Sequence, residues 1–556
     1  MSKKSMKRVV ALVVSIVLFA AMLSGCSGGK KSSDSTTSTT SGNTTSGTTT
    51  SGGEPKDVDL SLPIAKEPIT LKYFINMNSA MKATMSTYAE VECFKKLEEL
   101  TNIHIEWIHP TGGNEQFALM IASNDLPDLI NWPFGNAKGG PEALIRDNVL
   151  IPLTDEMLYT YAPNYMRIMD KNPEWKKTTM LDDGTMFQFI NFNYEPETEK
   201  IVTFQIKGPY IRMDWVRKVG KKAPETIDEL YDVLKAFKDQ NVNGKGNVIP
   251  FVVGNTLEAI KAIAGSFGTR WSMHQQNGKV VYGPITDEFK LYVEYMRKWY
   301  SEGLINSDFP VLEDWGAKIL NSEAGFTIGS MGSGLTMQRE ALKEKDPESD
   351  LDSLPYLIGP NGYRCYVDDS GANPRATAIT SANKYVTESL RWIDYQYSPE
   401  GSLLTTFGIE GVSYEMVNGY PTLTDLVMNN PWGYNQEEAI ARFCVGPINY
   451  PNARDIRFYE QVNLNTEQKK RIQTNWSTGT NDILMPPITM SVDESTRYSN
   501  IMSDINTYVN EMVLKFIMGE EPMENWDAYV EKIKKMDIDK AIAIQEEALK
   551  RYNSRN

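Results

Sequence analysis

Between Ile69 and Trp132 the apolar residues change their spacing four times, and that alternation restricts the chain to a small set of folds. Ile69, Leu71, Tyr73 and Ile75 alternate with Thr70, Lys72 and Phe74, the period of a strand, and the run stops at Asn76-Met77-Asn78. Val91, Phe94, Leu97 and Leu100 recur at helical spacing, and Ile103, Ile105 and Trp107 alternate again. A short helical stretch then covers Phe117 to Ile121, and Leu126-Pro127-Asp128-Leu129-Ile130 makes a compact buried strand ending at Asn131-Trp132. Strand, helix, strand, helix, strand is the opening of a doubly wound α/β sheet, because parallel neighbours need a crossover between them.

A similar unit begins near Tyr210. Ile211 to Trp215 leads into a helix announced by Pro224 and by Thr226 with Glu229, a capping box in which each side chain satisfies the other's backbone N–H. Ile227, Leu230, Tyr231, Leu234 and Phe237 mark its apolar face. Two such units, widely separated in the chain, predict two lobes. The carboxyl end reads as helical, with Trp526, Tyr529, Val530 and Ile533 on one face and Ile538, Ala541, Ile542, Leu549 and Tyr552 on another.

The amino end reads as an address. Lys3, Lys4, Lys7 and Arg8 precede an apolar run from Val9 to Met22, which is short against the roughly 20 residues of a membrane span and suits a secretory signal. Leu23-Ser24-Gly25-Cys26 resembles the lipobox of bacterial lipoproteins, which implies cleavage before Cys26 and diacylation of that Cys. Two acyl chains hold a protein at a membrane stably, at about 0.8 kcal/mol per buried methylene. From Ser27 to about Gly53 the chain is Ser, Thr and Gly with the basic pair Lys30-Lys31, the composition of a flexible tether. No second apolar stretch is long enough to span a bilayer.

Composition excludes several classes. A formal charge of −15 argues against a nucleic-acid partner or an anionic lipid surface, since either needs a basic face. Of four Cys, lipidation takes Cys26; Cys93, Cys365 and Cys444 remain at irregular spacings that suit neither a disulfide framework nor zinc, and are expected to be buried thiols. There is no H-E-x-x-H, no G-x-S-x-G, no Walker loop and no G-x-G-x-x-G after a strand, and the three His, His104, His109 and His274, are scattered. Paired carboxylates of the glycosidase kind stay open among 72 Asp and Glu.

Several segments resemble the family 1 extracellular solute-binding proteins of ABC importers, in the Gram-positive lipoprotein branch that handles oligosaccharides. They are Ser123-Asn124-Asp125-Leu126-Pro127-Asp128-Leu129-Ile130-Asn131-Trp132; Ile211-Arg212-Met213-Asp214-Trp215-Val216 with Pro224, Thr226 and Glu229-Leu230-Tyr231; Tyr397-Ser398-Pro399-Glu400-Gly401 with Phe407-Gly408-Ile409-Glu410-Gly411-Val412-Ser413-Tyr414; and Glu524-Asn525-Trp526 through Tyr552. The resemblance implies a two-lobed α/β fold of the periplasmic-binding-protein type II class, each lobe a mainly parallel sheet flanked by helices, with crossings near Gln205–Tyr210 and Leu357–Asp368. The corresponding division is 1–25 signal peptide, 26–66 lipidated Cys and linker, 67–205 first lobe, 206–357 second lobe, 358–420 return to the first, and 421–556 completion of the second with the terminal helices. It further implies a monomer, anchored on the outer face of the membrane, that closes on an oligosaccharide and delivers it to an ABC permease without catalysis. A secreted polysaccharide-degrading enzyme, a sugar-sensing subunit for a membrane kinase, and a binder of peptide or another polar solute are the alternatives.

Sugars need flat aromatic platforms and side chains that both donate and accept. Trp132 and Asn131, at the end of a buried strand, are expected to stack on and hydrogen-bond a sugar, with Asn76 at the end of the first strand. Arg212, Asp214 and Trp215 lie near the second lobe's first strand, and Trp271 and Met331 stand in loops that resemble cleft linings. No cofactor is required. Asp239, Asn241, Asn243, Lys245 and Asn247 place side chains at alternate positions around Gly244 and Gly246 as the first half of a calcium loop does, although no bidentate Glu follows, so bound calcium and an Asn/Gly turn are both open.

Overall fold

The computed structural model describes residues 59–364, 375–446 and 450–555. The signal, Cys26, the Ser/Thr/Gly tether, Cys365 and the last part of the Leu357–Asp368 crossing lie outside the described residues. No helix among the described residues is long and apolar enough to cross a membrane.

The first sheet holds β1 (Ile69–Phe74), β2 (Ile103–Ile108), β3 (Leu129–Trp132) and β12 (Ala376–Ile379) in the order β12-β3-β1-β2. β2 and β3 run parallel to β1, with Ile69 opposite Ile103 and Tyr73 opposite Leu129. Helices Glu92–Thr101 and Gly113–Ser123 make the two crossovers. The first buries Cys93, Phe94 and Leu97 and stops at Asn102, whose left-handed φ of 57° turns the chain directly into β2. β3 begins three residues later than the pattern suggested. Pro127 has no N–H for a ladder, and the Asp128 carboxylate instead accepts from the Lys72 N–H at 2.7 Å, tying the strand's approach to β1.

The second sheet holds β6 (Lys207–Arg212), β7 (Ile249–Phe251), β10 (Ala324–Ser330) and β11 (Leu351–Ser353) in the order β11-β6-β10-β7. It is mixed, which corrects the expectation of a mainly parallel sheet: β6 is antiparallel to both β10 and β11, and only β7 parallels β10. The reason is where the chain enters. β6 starts at the crossing and runs away from it, whereas β10 ends there, with Ser330 opposite Lys207. β12 enters the first sheet in the same sense and is antiparallel to β3.

A small sheet of β4 (Phe192–Glu195), β5 (Lys200–Val202) and β15 (Ala453–Asp455) precedes the crossing, and β8 (Met273–Gln276) with β9 (Lys279–Tyr282) and β13 (Tyr414–Val417) with β14 (Tyr420–Leu423) form hairpins. The expected capping box is present: Thr226 and Glu229 each bond the other's backbone at the head of helix Ile227–Asp239.

Two large cores result. One runs from Ile64 to Tyr194 and from Ala376 to Val462; the other joins residues 211–357 to Met502–Leu549 of the terminal helices. The first core continues beyond residue 420, because Leu423, Val427, Ile440 and Phe458 pack within it, so the segment 421–556 is divided between the cores. A third, smaller core on the other face of the second sheet includes Tyr210, Met331 and Trp476. Trp476 lies so close to β6 that a Cβ at Gly208 would meet its ring at 2.4 Å, which fixes glycine there. Cys93 and Cys444 are buried free thiols.

Candidate functional site

A cleft of about 960 Å³ opens where the two halves of the chain approach one another. Pro133, Phe134 and Gly135 line it just after β3, and Ser330, Met331, Gly332 and Ser333 line it at the end of β10, so it lies beyond the carboxyl ends of one strand from each main sheet. Ligands of open α/β sheets bind at such edges. Thr203, Phe204 and Ile206, between β5 and β6, and Met485 to Met490, before the long helix Val492–Met518, close its floor.

Its lining combines aromatic rings with amides and hydroxyls. Trp175 on the short helix Pro173–Thr178 is half-buried, and among the described residues no ring or cation covers it. Phe204 and Tyr459 stack with centroids 3.8 Å apart and planes 7° apart. Gln188, Asn191, Asn193, Thr489 and Ser495 supply polar edges, and Asn193 Oδ1 is buried with no donor among the described residues. Arg454 is half-buried at the same wall, and loss of hydration lowers its pKa to about 10. After β10 the chain forms one π-helical segment, Met331–Thr336, which carries Met331 into the cleft, 3.6 Å from Gln473 Nε2. Such segments recur at functional positions.

Of the residues expected from sequence, Met331 is in this cleft. Asn131 and Trp132 are not open to it. Both are 2% exposed: Asn131 donates to Thr377 Oγ1 at 3.1 Å, and the Trp132 ring stacks on Phe117 at 4.6 Å with Arg375 5.5 Å from its centroid. A ring covered on its faces cannot stack on a sugar. Asn76, with its amide oxygen turned toward Arg375, accepts from that guanidinium at 2.9 and 3.3 Å, so these residues form one connected cluster at the edge of the first sheet.

Arg212, Asp214 and Trp215 stand at the end of β6 remote from the cleft. Arg212 is 2% exposed, its Nε and Nη2 donate to Asp214 at 2.8 and 2.6 Å, and it lies 4.8 Å from the Trp215 ring centroid. They form a structural ion pair. Trp271 lines a second, smaller cavity, with its indole N–H donating to Tyr292 at 3.2 Å.

The Asp239–Asn247 loop is held by its own side chains, with an Asx turn at Asn243. Asn241 Oδ1 accepts from the Gly246 N–H at 2.8 Å, Asn243 Oδ1 from the Lys245 N–H at 2.9 Å, and Lys245 Nζ donates to Asn321 O at 2.9 Å. Asp239 faces Lys235 at 3.3 Å. Among the described residues no group of three His, Cys, Asp or Glu is arranged to hold a metal.

Sequence reasoning missed Trp175, Phe204 and Tyr459. Trp175 follows Asn172-Pro173 in a six-residue helix too short to show a period, and the other two meet only across the fold.

Residues 79–402 match the family model described as bacterial extracellular solute-binding protein. The chain is 25% identical over 524 residues to the fructooligosaccharide ABC transporter substrate-binding protein FusA of Streptococcus pneumoniae, covering 88% of this chain and 91% of FusA. It is 25% identical over 472 residues to the lipoprotein LipO of Bacillus subtilis, covering 79% and 85%. The solved structure of an EF-hand mutant of S. pneumoniae FusA with fructo-nystose superimposes with a TM-score of 0.68 at 24% identity, over 88% of this chain and 100% of that one. With a family match across more than half its length and two packed α/β halves flanking one cleft, the chain belongs to the bacterial extracellular solute-binding proteins, and its work is binding rather than catalysis.

Proposed function

We propose that the chain is a lipid-anchored receptor that captures an oligosaccharide between its two lobes outside the cell and hands it to an ABC permease. The observation that carries this reading is the cleft itself. Its volume of about 960 Å³ suits a solute of several sugar rings, Trp175 offers an uncovered face, and the rim is amide and hydroxyl rather than a catalytic pair. The names of FusA, a fructooligosaccharide transporter component, and LipO, a lipoprotein, point the same way. Leu23-Ser24-Gly25-Cys26 supports the lipid anchor, and the Ser/Thr/Gly segment after it supports a tether to the membrane.

In this reading the first lobe comprises residues from 67 to 205 and the return beyond 375, and the second comprises 206–357 with the terminal helices. Closure rotates one against the other about Thr203–Ile206 and the segments near Leu464 and Met485. The receptor works as a monomer. It needs no calcium, since the Asn241 and Asn243 oxygens already serve backbone N–H groups and the Lys245 ammonium sits at the loop.

Thermal denaturation against a panel of defined oligosaccharides tests the proposal. A bound sugar at a hundred times its Kd adds about 2.7 kcal/mol of stability and is recovered intact, whereas an enzyme would shorten it. A panel in which no glycan raises the melting temperature would refute the reading.

A further inference from the structure

The second cavity, about 370 Å³, is lined by Lys207, Glu258, Lys261, Arg270, Trp271 and Gly329. Glu258 is exposed and 3.9 Å from Lys207.

Lys261 is the informative member. It sits on helix Glu258–Ile263, half-buried, with its ammonium 5.2 Å from the Trp271 ring centroid. Among the described residues no carboxylate pairs with it and no oxygen accepts from it. Burial lowers its pKa. Among the described residues of this half, Arg212 is paired with Asp214, Arg339 with Asp350, and Lys318 with Glu323. Withdrawing an ammonium from water without a counter-charge is costly, and proteins keep such a group where a ligand brings the charge.

The surroundings are built to hold a position. Trp271 is fixed by its bond to Tyr292, whose own hydroxyl donates to Ile260 O at 2.8 Å in the helix that carries Lys261. The cavity also adjoins the large cleft. Ile328 and Gly329 of β10 line the small one and Ser330 and Met331 the large one, while Lys207 and Ile206 divide in the same way at the start of β6.

Resting on the sugar-binding reading above, we propose that the solute is an acidic oligosaccharide, with the carboxylate of a uronate unit seated on Lys261 beside Trp271 and the rest of the chain extending into the large cleft.

Isothermal titration of the purified chain with trigalacturonate and with its fully methyl-esterified form tests this, since esterification removes each charge and adds only a methyl group. The acid should bind at least tenfold more tightly than the ester at low salt, with the difference shrinking as salt rises. Lys261→Gln should abolish the preference and Lys261→Arg should keep it, both with melting temperatures near that of the parent. If acid and ester bind alike, or a neutral fructan binds as tightly as trigalacturonate and Lys261→Gln binds the acid no worse, the acidic-solute inference is overturned and the receptor reading stands. If no glycan binds at all, both fall.

Discussion

The Asp182 carboxylate receives the Arg555 guanidinium at 2.6 Å, joining the loop before β4 to the residue that follows the terminal helix Ile538–Ser554. The same carboxylate accepts from Arg551 Nε at 2.5 Å and from Thr489 Oγ1 at 3.0 Å, and Arg551 continues to Glu494 at 2.6 Å. Arg555, with its side chain 1% exposed, also donates to Lys177 O at 2.9 Å. Leu181 belongs to the first core and Leu549 to the second, so this network ties the two halves together beside the cleft wall formed by Thr489 and Met490.

Asp182→Asn should therefore destabilise the chain by about 3 kcal/mol at neutral pH, because it leaves Arg555 buried without its counter-charge. Burial raises the Asp182 pKa, but the bonds from Arg551, Arg555 and Thr489 outweigh it and hold the group below its usual 3.8. A lowered carboxylate pKa gives stability that is present above 3.8 and lost as pH falls through the folded value. Denaturant titrations should show the parent's advantage over the variant shrinking as pH falls below 3.8, the usual carboxylate value.

Asp394 predicts the opposite slope. Burial raises its pKa to about 7, with the Tyr165 N–H and the Asn164 amide, each at 2.8 Å, offsetting part of the shift. The unfolded carboxyl ionises first as pH rises from 3.8, so stability falls between about pH 4 and 7, by on the order of 4 kcal/mol at most, and is level above that. Asp394→Asn, neutral in both states, should flatten the melting temperature across that window. A parent profile already flat there would contradict the assignment.

Trp132 and Trp175 separate stability from affinity. Trp132→Ala removes a ring packed on Phe117 and Phe74 and should cost about 3–5 kcal/mol of stability. Trp175→Ala removes a half-exposed ring and should leave the fold nearly as stable while weakening the bound sugar about five- to tenfold, ~1–1.4 kcal/mol. Urea titration and calorimetric binding, run on both variants, read the two effects independently.

These two residues also mark how far the sequence reads. Period-two and period-3.6 apolar patterns report which face meets a core, so β1, β2, the crossover helices and the capped Ile227–Asp239 helix were legible, and so was the place of the cleft at strand ends. What a ring at a strand end faces depends on partners remote in the chain. Trp132 is covered by Phe117 and Arg375, and Arg212 turns to Asp214 two residues away, neither of which a local pattern distinguishes from an open site. The direction of β6 was likewise hidden, since an isolated strand looks the same whichever way its neighbours run.

Calcium should leave the chain unchanged. The Asn241 and Asn243 oxygens already accept from Gly246 and Lys245, so a millimolar addition or a chelator should move the melting temperature by less than the scatter of repeat scans. A saturable rise on adding calcium would show that the loop gives up these bonds for the ion.

The most direct test of the receptor account is calorimetric titration of the parent and Trp175→Ala chains with oligosaccharides, followed by chromatography of the recovered sugar. The account predicts one-to-one binding of at least one oligosaccharide, recovery of that sugar at its original length, and weaker binding to the variant. Shortened products, or a panel to which the parent shows no heat of binding, would contradict it.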